Sequence, residues 1–488
     1  MTTPSSTRAP KIDPAGHLNE PQGDILEPTV LGTSAQYLRG KALRRYGLWY
    51  ALALVSFSAI WGGVGAVLLP NQVQLLEMAR FFVGGDAGVD LQQLTALRDA
   101  IAAGTATATP DQSRLLGILA SFDSSRATSL AMVTSIGVAG TMIIQPLIGV
   151  FSDRTRSRLG RRAPWSLVGV IIGAGFLVGV RFAPTVAVLV VLWTVAQVAL
   201  NVALAPLSTT LADRVPEGRR GTISGIGGLG SFVGGLLGSV AAGVAFITVG
   251  VNSYFVFAGL VFVAVLLFVF KVPDRSSLEL SVPKFGWKRF FLGFTCALRS
   301  RDYRWVWIAR ILLTFGYGVS GALGLYMLQS YVKPALSQAE ATALTPLLML
   351  AGLPCTVLAI VVAGALSDKL KRRKSFVFVA SVMMAAAMAI PLMSPTVTGL
   401  FVQGIVAGIA FGIYIPVDQA LLVDVLPDPD AVGRDLGVAG LATNLGQALG
   451  PALAGAVVAS SGGYGLVWVA ALVLVGLAAV AIVPIRAR

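Results

Sequence analysis

Two opposite charges lie deep inside apolar segments: Arg310, in the run that begins near Tyr303, and Asp418, in the run that ends at Asp424. A charge in such a run is costly and faces either a partner or a water-filled cavity. Arg310 lies six residues past Arg304 and Asp418 six residues before Asp424. At the helical rise both sit roughly 9 Å from the same boundary. Equal depth makes an ion pair the economical expectation. Such a pair could simply fix packing. It could instead be broken and remade in a working cycle, with Asp418 carrying a proton or Arg310 binding an anion. Pairing keeps the carboxylate charged, so Asp418 would accept a proton only once the pair separates.

Neutral polar residues form a second group. Gln197 and Asn201 are four apart, and Asn444 and Gln447 three apart, so each pair shares one helix face; Gln145 and Gln403 lie in other apolar runs. Each amide offers both donors and an acceptor, which suits a hydroxyl-rich solute. Bonding between helices is the other use of such amides, and the sequence leaves both open. Tyr317 and Tyr414, with Phe57, Trp61 and Tyr326, could stack on a ring, whereas Trp49 and Tyr50 fit an interfacial belt. The only histidine, His17, lies near the start, and Cys296 and Cys355 make no CxxC spacing, so no metal site and no cofactor are expected. Gly225 to Gly230 fits G-x-G-x-x-G but sits inside an apolar run with neither strand nor acid around it. Continued through Gly234 and Gly238, and echoed by Gly446 and Gly450, it reads as small-residue helix packing.

The elements that carry these residues are apolar helices. Of the 488 residues 55% are hydrophobic and 12% charged, with a mean hydropathy of +0.78. Stretches near twenty residues recur, as membrane crossings require. We expect twelve, at roughly 47–69, 128–151, 164–182, 185–211, 221–247, 253–271, 303–330, 342–366, 375–393, 397–424, 437–459 and 464–484. Alternate loops then place 30 of the 37 Lys and Arg on one side, which is cytoplasmic by the positive-inside rule. Only Arg80, Arg98, Arg114, Arg126, Arg181 and Lys333 fall opposite, so the +14 charge marks topology rather than nucleic-acid binding.

The chain also repeats itself. Gly149–Arg154 (GVFSDR) and Gly364–Lys369 (GALSDK) end apolar runs and open basic loops 215 residues apart, and Asp213 and Asp424 echo each other at 211. Duplicated membrane halves with a site between them point to a carrier of small solutes. The expected organisation is a disordered tail (1–39), a first half (40–271), a linker (272–302) and a second half (303–488). The first half includes a solvated, weakly ordered insertion outside the membrane at 71–127. In the linker Trp287, Phe290, Phe291, Phe294 and Leu298 recur at helical spacing beside Lys288 and Arg289, as in a helix lying on anionic lipid.

This chain resembles the major facilitator superfamily in its six-plus-six spans, basic link and Gly-x-x-x-Asp-Arg loop after the second span. Gln145–Gly149, Ser152–Arg154 and Gly160–Trp165 (GRRAPW) are similar to the sucrose/proton symporters and the related glycoside–pentoside–hexuronide cation symporters. The resemblance implies an all-α membrane protein of two pseudo-symmetric six-helix halves, the major facilitator fold. It implies a gate made by Asp153, Arg154, Gly160, Arg161 and Arg162, with Asp368 at the second copy. Asp153 would meet the positive N-terminal end of the eleventh helix near Gly437 when the cytoplasmic side is closed. The arginines would bond acids and carbonyls across the same interface. One departure stands out: the cation branch has membrane-embedded carboxylates in its first half, and the expected spans 1 to 6 hold none, which argues against sodium coupling by that route.

The best-supported expectation is a proton-coupled sugar or glycoside symporter in the cell membrane, a monomer whose partners are its solute, protons and lipid. Export of amphipathic compounds by proton antiport is the alternative. A non-transporting receptor or scaffold ranks third, and no nucleophile elbow, HExxH or P-loop marks an enzyme.

Overall fold

The computed structural model describes residues 37–278, 298–426 and 432–486. The expected interfacial helix, at 279–297, lies outside them. The described residues form helices and no strands. We number the spans α1 (Gly40–Phe81), α2 (Pro110–Arg154), α3 (Ala163–Val180), α4 (Val186–Arg214), α5 (Glu217–Val249) and α6 (Ser253–Lys271). The second half adds α7 (Arg301–Gly321, resumed as Gly324–Ser330), α8 (Gln338–Ala351, resumed as Leu353–Leu370), α9 (Arg373–Met393), α10 (Val397–Asp424), α11 (Val432–Ser461) and α12 (Gly465–Ile482).

Ten continuous stretches among these are long and apolar enough to cross a membrane, and the bent α7 makes an eleventh. One of the ten, Glu217–Lys271, is a hairpin. Gly250, at φ +59°, stops α5, and both arms return along α1. Ile223 meets Gly47 while Phe268 meets Tyr46 at one end, and Gly238 and Phe257 both meet Gly63 at the other. The described chain therefore makes twelve helical passes and is a multi-pass membrane protein. Lipid supplies no hydrophobic force between helices, so their contacts rest on close backbone approach. At Gly62 and Gly63 in α1 any Cβ would run into the carbonyls of Gly235 and Gly238 in α5. The glycines of the dinucleotide look-alike serve the same face, Gly227 lying on Tyr50 and Leu54 and Gly230 on Ala51. Residues 60–68 of α1 widen into a π-helical stretch along that contact.

Residues 71–127 differ from expectation: most of them are helix. The first span runs on through Phe81, and the second begins at Pro110, where Thr109 and Gln112 form a capping box. Between them lies a short helix, Leu91–Ala102, capped by Asp90. Leu94, Leu119, Phe82 and Phe122 bury a small apolar core under it, so the segment has its own reason to fold.

Candidate functional site

The expected charge pair is formed. Arg310 donates from Nε (2.8 Å) and Nη2 (2.5 Å) to Asp418 Oδ2, and Nη2 also reaches Gln419 Oε1 at 3.2 Å. Both residues are buried, as two charges in an apolar slab must be if each is the other's counter-ion. Tyr414, one helical turn before Asp418, buries its hydroxyl beside the pair without a well-formed hydrogen bond. Its ring continues a ladder: Tyr317 stacks on Phe411 (4.8 Å between centroids, 11° between planes), and Phe411 on Tyr414 (6.4 Å, 21°). Tyr317, at the outer rung of the ladder, is 43% exposed.

Three of the amides join across the two halves: Gln145 donates to Asn201 Oδ1 (2.9 Å), and Asn444 donates to Gln145 Oε1 (3.2 Å). Asn201 itself donates to the main-chain carbonyl of Gln197, one turn back on its own helix (2.9 Å). Gln197 Oε1 is left buried without a partner, pressed against Gly137. The fourth amide, Gln447, points away from this chain: it is exposed and makes no hydrogen bond. Chain and ladder lie at one level of the bundle, because Thr314 and Gly318, either side of Tyr317, pack on Gly446 and Gly450 just beyond Asn444.

At the end that carries the chain termini, the loop residues do not make the contacts expected of a closed gate. Among the described residues nothing lies within 4 Å of where a Cβ on Gly437 would sit, and Asp153 pairs with Arg162 Nη2 (2.5 Å) while remaining 57% exposed. Arg161 and Arg162 reach Asp213 of their own half, at 2.6 and 3.0 Å, and Arg162 also donates to Ser152 Oγ. Gly160 sits at φ +87° against the Asp274 side chain, which a Cβ would strike. Arg154 closes α2. In the second half Arg373 pairs with Asp424 (2.5 Å), the same pair as Arg162–Asp213 moved on by 211 residues. The side chain of Asp368 lies outside the described residues.

The far end is shut, and sequence reasoning missed what shuts it. Arg126, 1% exposed, is ion-paired with Asp123 (2.7 Å) and donates to Gln74 (3.3 Å) in its own half and to Gln329 (3.0 Å), Ser330 (2.6 Å) and Tyr464 (3.3 Å) in the other. The Phe122 and Tyr326 rings face the guanidinium at 4.9 and 4.5 Å. A 45° bend after Gly321 swings Tyr326, Gln329 and Ser330 onto this node. Tyr326 also donates to Pro70 O (2.7 Å), and Asn71 accepts from Gln338 and Thr342 at 2.8 and 3.2 Å. Glu77, 1% exposed, accepts from Ser125 (2.9 Å) and Ser129 (2.6 Å). The first half therefore buries two carboxylates, Glu77 and Asp123, both in the 71–127 segment rather than in the expected spans. The usable signal was the apolar run 115–122 ahead of Asp123, which extends the second helix backward to include Asp123 and Arg126.

Among the described residues no cluster of His, Cys, Asp or Glu could hold a metal ion. The candidate site is thus an ion pair, an aromatic ladder and an amide contact between the halves, with the halves bonded together at the Arg126 end.

Comparison with known proteins agrees with this architecture. The model of the Major Facilitator Superfamily matches residues 113–402 and 335–488. A mutant form of the nucleoside transporter NupG superposes with a TM-score of 0.66 at 15% identity, covering 90% of this chain and 100% of that one. A bacterial homolog of the human lysosomal transporter Spinster, inward-facing and unoccupied, gives 0.59 at 14% identity, covering 90% and 95%. At these identities the likeness is one of fold. No curated protein matches the chain in sequence.

Proposed function

The chain belongs to the Major Facilitator Superfamily, and from that premise we propose that it carries a sugar or glycoside through the cell membrane by alternating access, together with protons. The observation that carries this reading is the amide chain Asn201–Gln145–Asn444 at the level of the Tyr317–Phe411–Tyr414 ladder. Amides match hydroxyls as donors and acceptors, while ring faces cover the apolar face of a sugar. Asn444 reaches Gln145 across the halves, so a solute that takes over either amide alters the contact that joins them.

In this reading both termini are cytoplasmic, the protein works as a monomer, and the conformation is inward-open. Closing the inner side brings Asp153 to the start of α11, where a carboxylate is favoured by the helix dipole. Asp418 is the proton carrier, neutralised when Arg310 leaves it. Arg162–Asp213 and Arg373–Asp424 are loop clamps that hold each half rigid while it rocks.

Purified protein in liposomes tests this directly. An inward proton gradient should drive uptake of a labelled sugar, and adding that sugar to unbuffered cells should raise external pH. Acidification on adding an amphipathic compound instead would replace symport with export. No solute movement under either gradient would remove the transport reading.

A further inference from the structure

We infer that the short helix Leu91–Ala102 is a strap on the far end: it belongs to the first half, grips the second, and must let go before that end can open. The inference rests on the alternating-access reading above.

The strap is anchored by its own half. Leu94 buries against Phe82, Leu119 and Phe122, where α1 ends and α2 begins. Asp90 caps the helix by accepting from the N–H groups of Gln92 and Gln93. In the turn before it, Asp86 is held by Arg114 of α2 at 2.7 and 2.8 Å. A helix with its own cap and its own apolar anchor moves with the first half as a unit.

Its grip on the second half is made by two side chains on main-chain carbonyls. Gln92 Nε2 donates to Ala335 O (2.9 Å) and Arg98 Nη2 to Ser330 O (2.7 Å). Ser330 ends α7, and a helix leaves its last carbonyls without partners of its own. Four residues on stands Pro334, which has no N–H to offer. Arg98 supplies the missing donor, and a cation is favoured at a helix C-terminus. The same guanidinium lies 3.4 Å from Asp123 and 3.3 Å from Asp99, so the first half balances its charge while it reaches across. Because only side chains cross the seam, the strap can let go and rebind with its own fold intact. The second half passes from α7 to α8 through the turn 331–337 and has no such helix. The strap is thus a one-sided addition to a pseudo-symmetric bundle, and it biases the carrier toward the state in which the far end is shut.

The experiment reads opening rather than transport. The full chain in nanodiscs, with Cys296→Ser and Cys355→Ser, carries a single cysteine at Asn71, which is buried at the seam against Gln338 and Thr342. Its rate of labelling by a maleimide is compared between variants. Arg98→Ala should raise that rate about tenfold, the scale of one lost charged hydrogen bond, and Gln92→Leu about fivefold, the scale of a neutral one. Arg98→Lys, which keeps the charge and a donor, should raise it less than Arg98→Ala. A single cysteine at Ala203 instead, buried against Gly169 inside the first half, should keep its rate in every variant. A rise at that control as large as at Asn71 would mean general unfolding and overturns the strap. A rate at Asn71 that rises in Arg126→Leu but not in Arg98→Ala overturns the strap alone. A rate that rises in neither overturns the strap together with the rocking of the halves.

Discussion

Removing Asp418 should harm this protein more than removing Asp418 and Arg310 together. Asp418 Oδ2 receives two guanidinium N–H groups at 2.8 and 2.5 Å, and both side chains are more than nine-tenths shielded. Asp418→Ala strands a cation in an apolar bundle with only Gln419 Oε1, at 3.2 Å, to bond it. Arg310→Ala strands the anion. Breaking a buried pair from one side costs about 3–5 kcal/mol, whereas removing both partners takes away the attraction and the desolvation penalty together. Independent sites would predict a double-mutant loss of roughly 6–10 kcal/mol. The pair predicts a loss below either single value, hence a coupling of at least about 3 kcal/mol. The assay is reversible unfolding in detergent of the wild type, both single mutants and the double mutant, with transport measured alongside. Additive losses would refute the pairing argument. Full transport by a stable double mutant would confine the pair to packing and end the case for Asp418 as proton carrier.

Four further outcomes follow from the geometry. Arg126→Leu removes the bonds to Gln329, Ser330 and Tyr464 that hold the far end shut; a loss of about 2–3 kcal/mol should raise the thiol reactivity of a cysteine at buried Asn71 tenfold or more, and unchanged reactivity would mean Arg126 does not latch the halves. Cysteine at exposed Ala103 should react with an impermeant maleimide on intact cells and cysteine at exposed Ser276 should not; the reverse pattern would invert the topology. Gln145→Ala cuts the amide chain at its centre and should raise KM for a transported sugar about tenfold, one or two lost hydrogen bonds, with little effect on melting; a changed kcat at constant KM would place the amide in the conformational step instead. Finally, Arg114 grips Asp86 at 2.7 and 2.8 Å and holds its carboxyl below the usual carboxylate range. A depressed folded-state pKa gives stabilisation that is complete above the unfolded value and lost as pH falls through the folded one. Hydrogen exchange in the 84–90 turn should therefore stay slow through the ordinary carboxylate range and rise only in stronger acid. In Arg114→Ala the rise should come at higher pH.

Some of this protein is fixed by its sequence alone. Backbone polar groups in lipid must bond within their own segment, so long apolar runs mean spanning helices whatever their neighbours. The repeated loops at 149–154 and 364–369 reveal the two halves by the same one-dimensional logic. Arg310 and Asp418 could be paired from the sequence because a slab turns residue number into depth, and two opposite charges at one depth have few other partners. Depth gives no bearing around the helix axis. Only the packed bundle decided that Gln145 joins Asn201 to Asn444 while Gln447 points elsewhere. Composition also hid the node around Arg126. Taken along the chain, Glu77, Asp123 and Arg126 resemble the charges of a solvated loop. They become interior only because α2 begins at Pro110 and the bend after Gly321 folds Gln329 and Ser330 over them. A hydropathy window discards charged residues from a span; tertiary packing can bury them, because a partner 203 residues away supplies the hydrogen bond that water would have made.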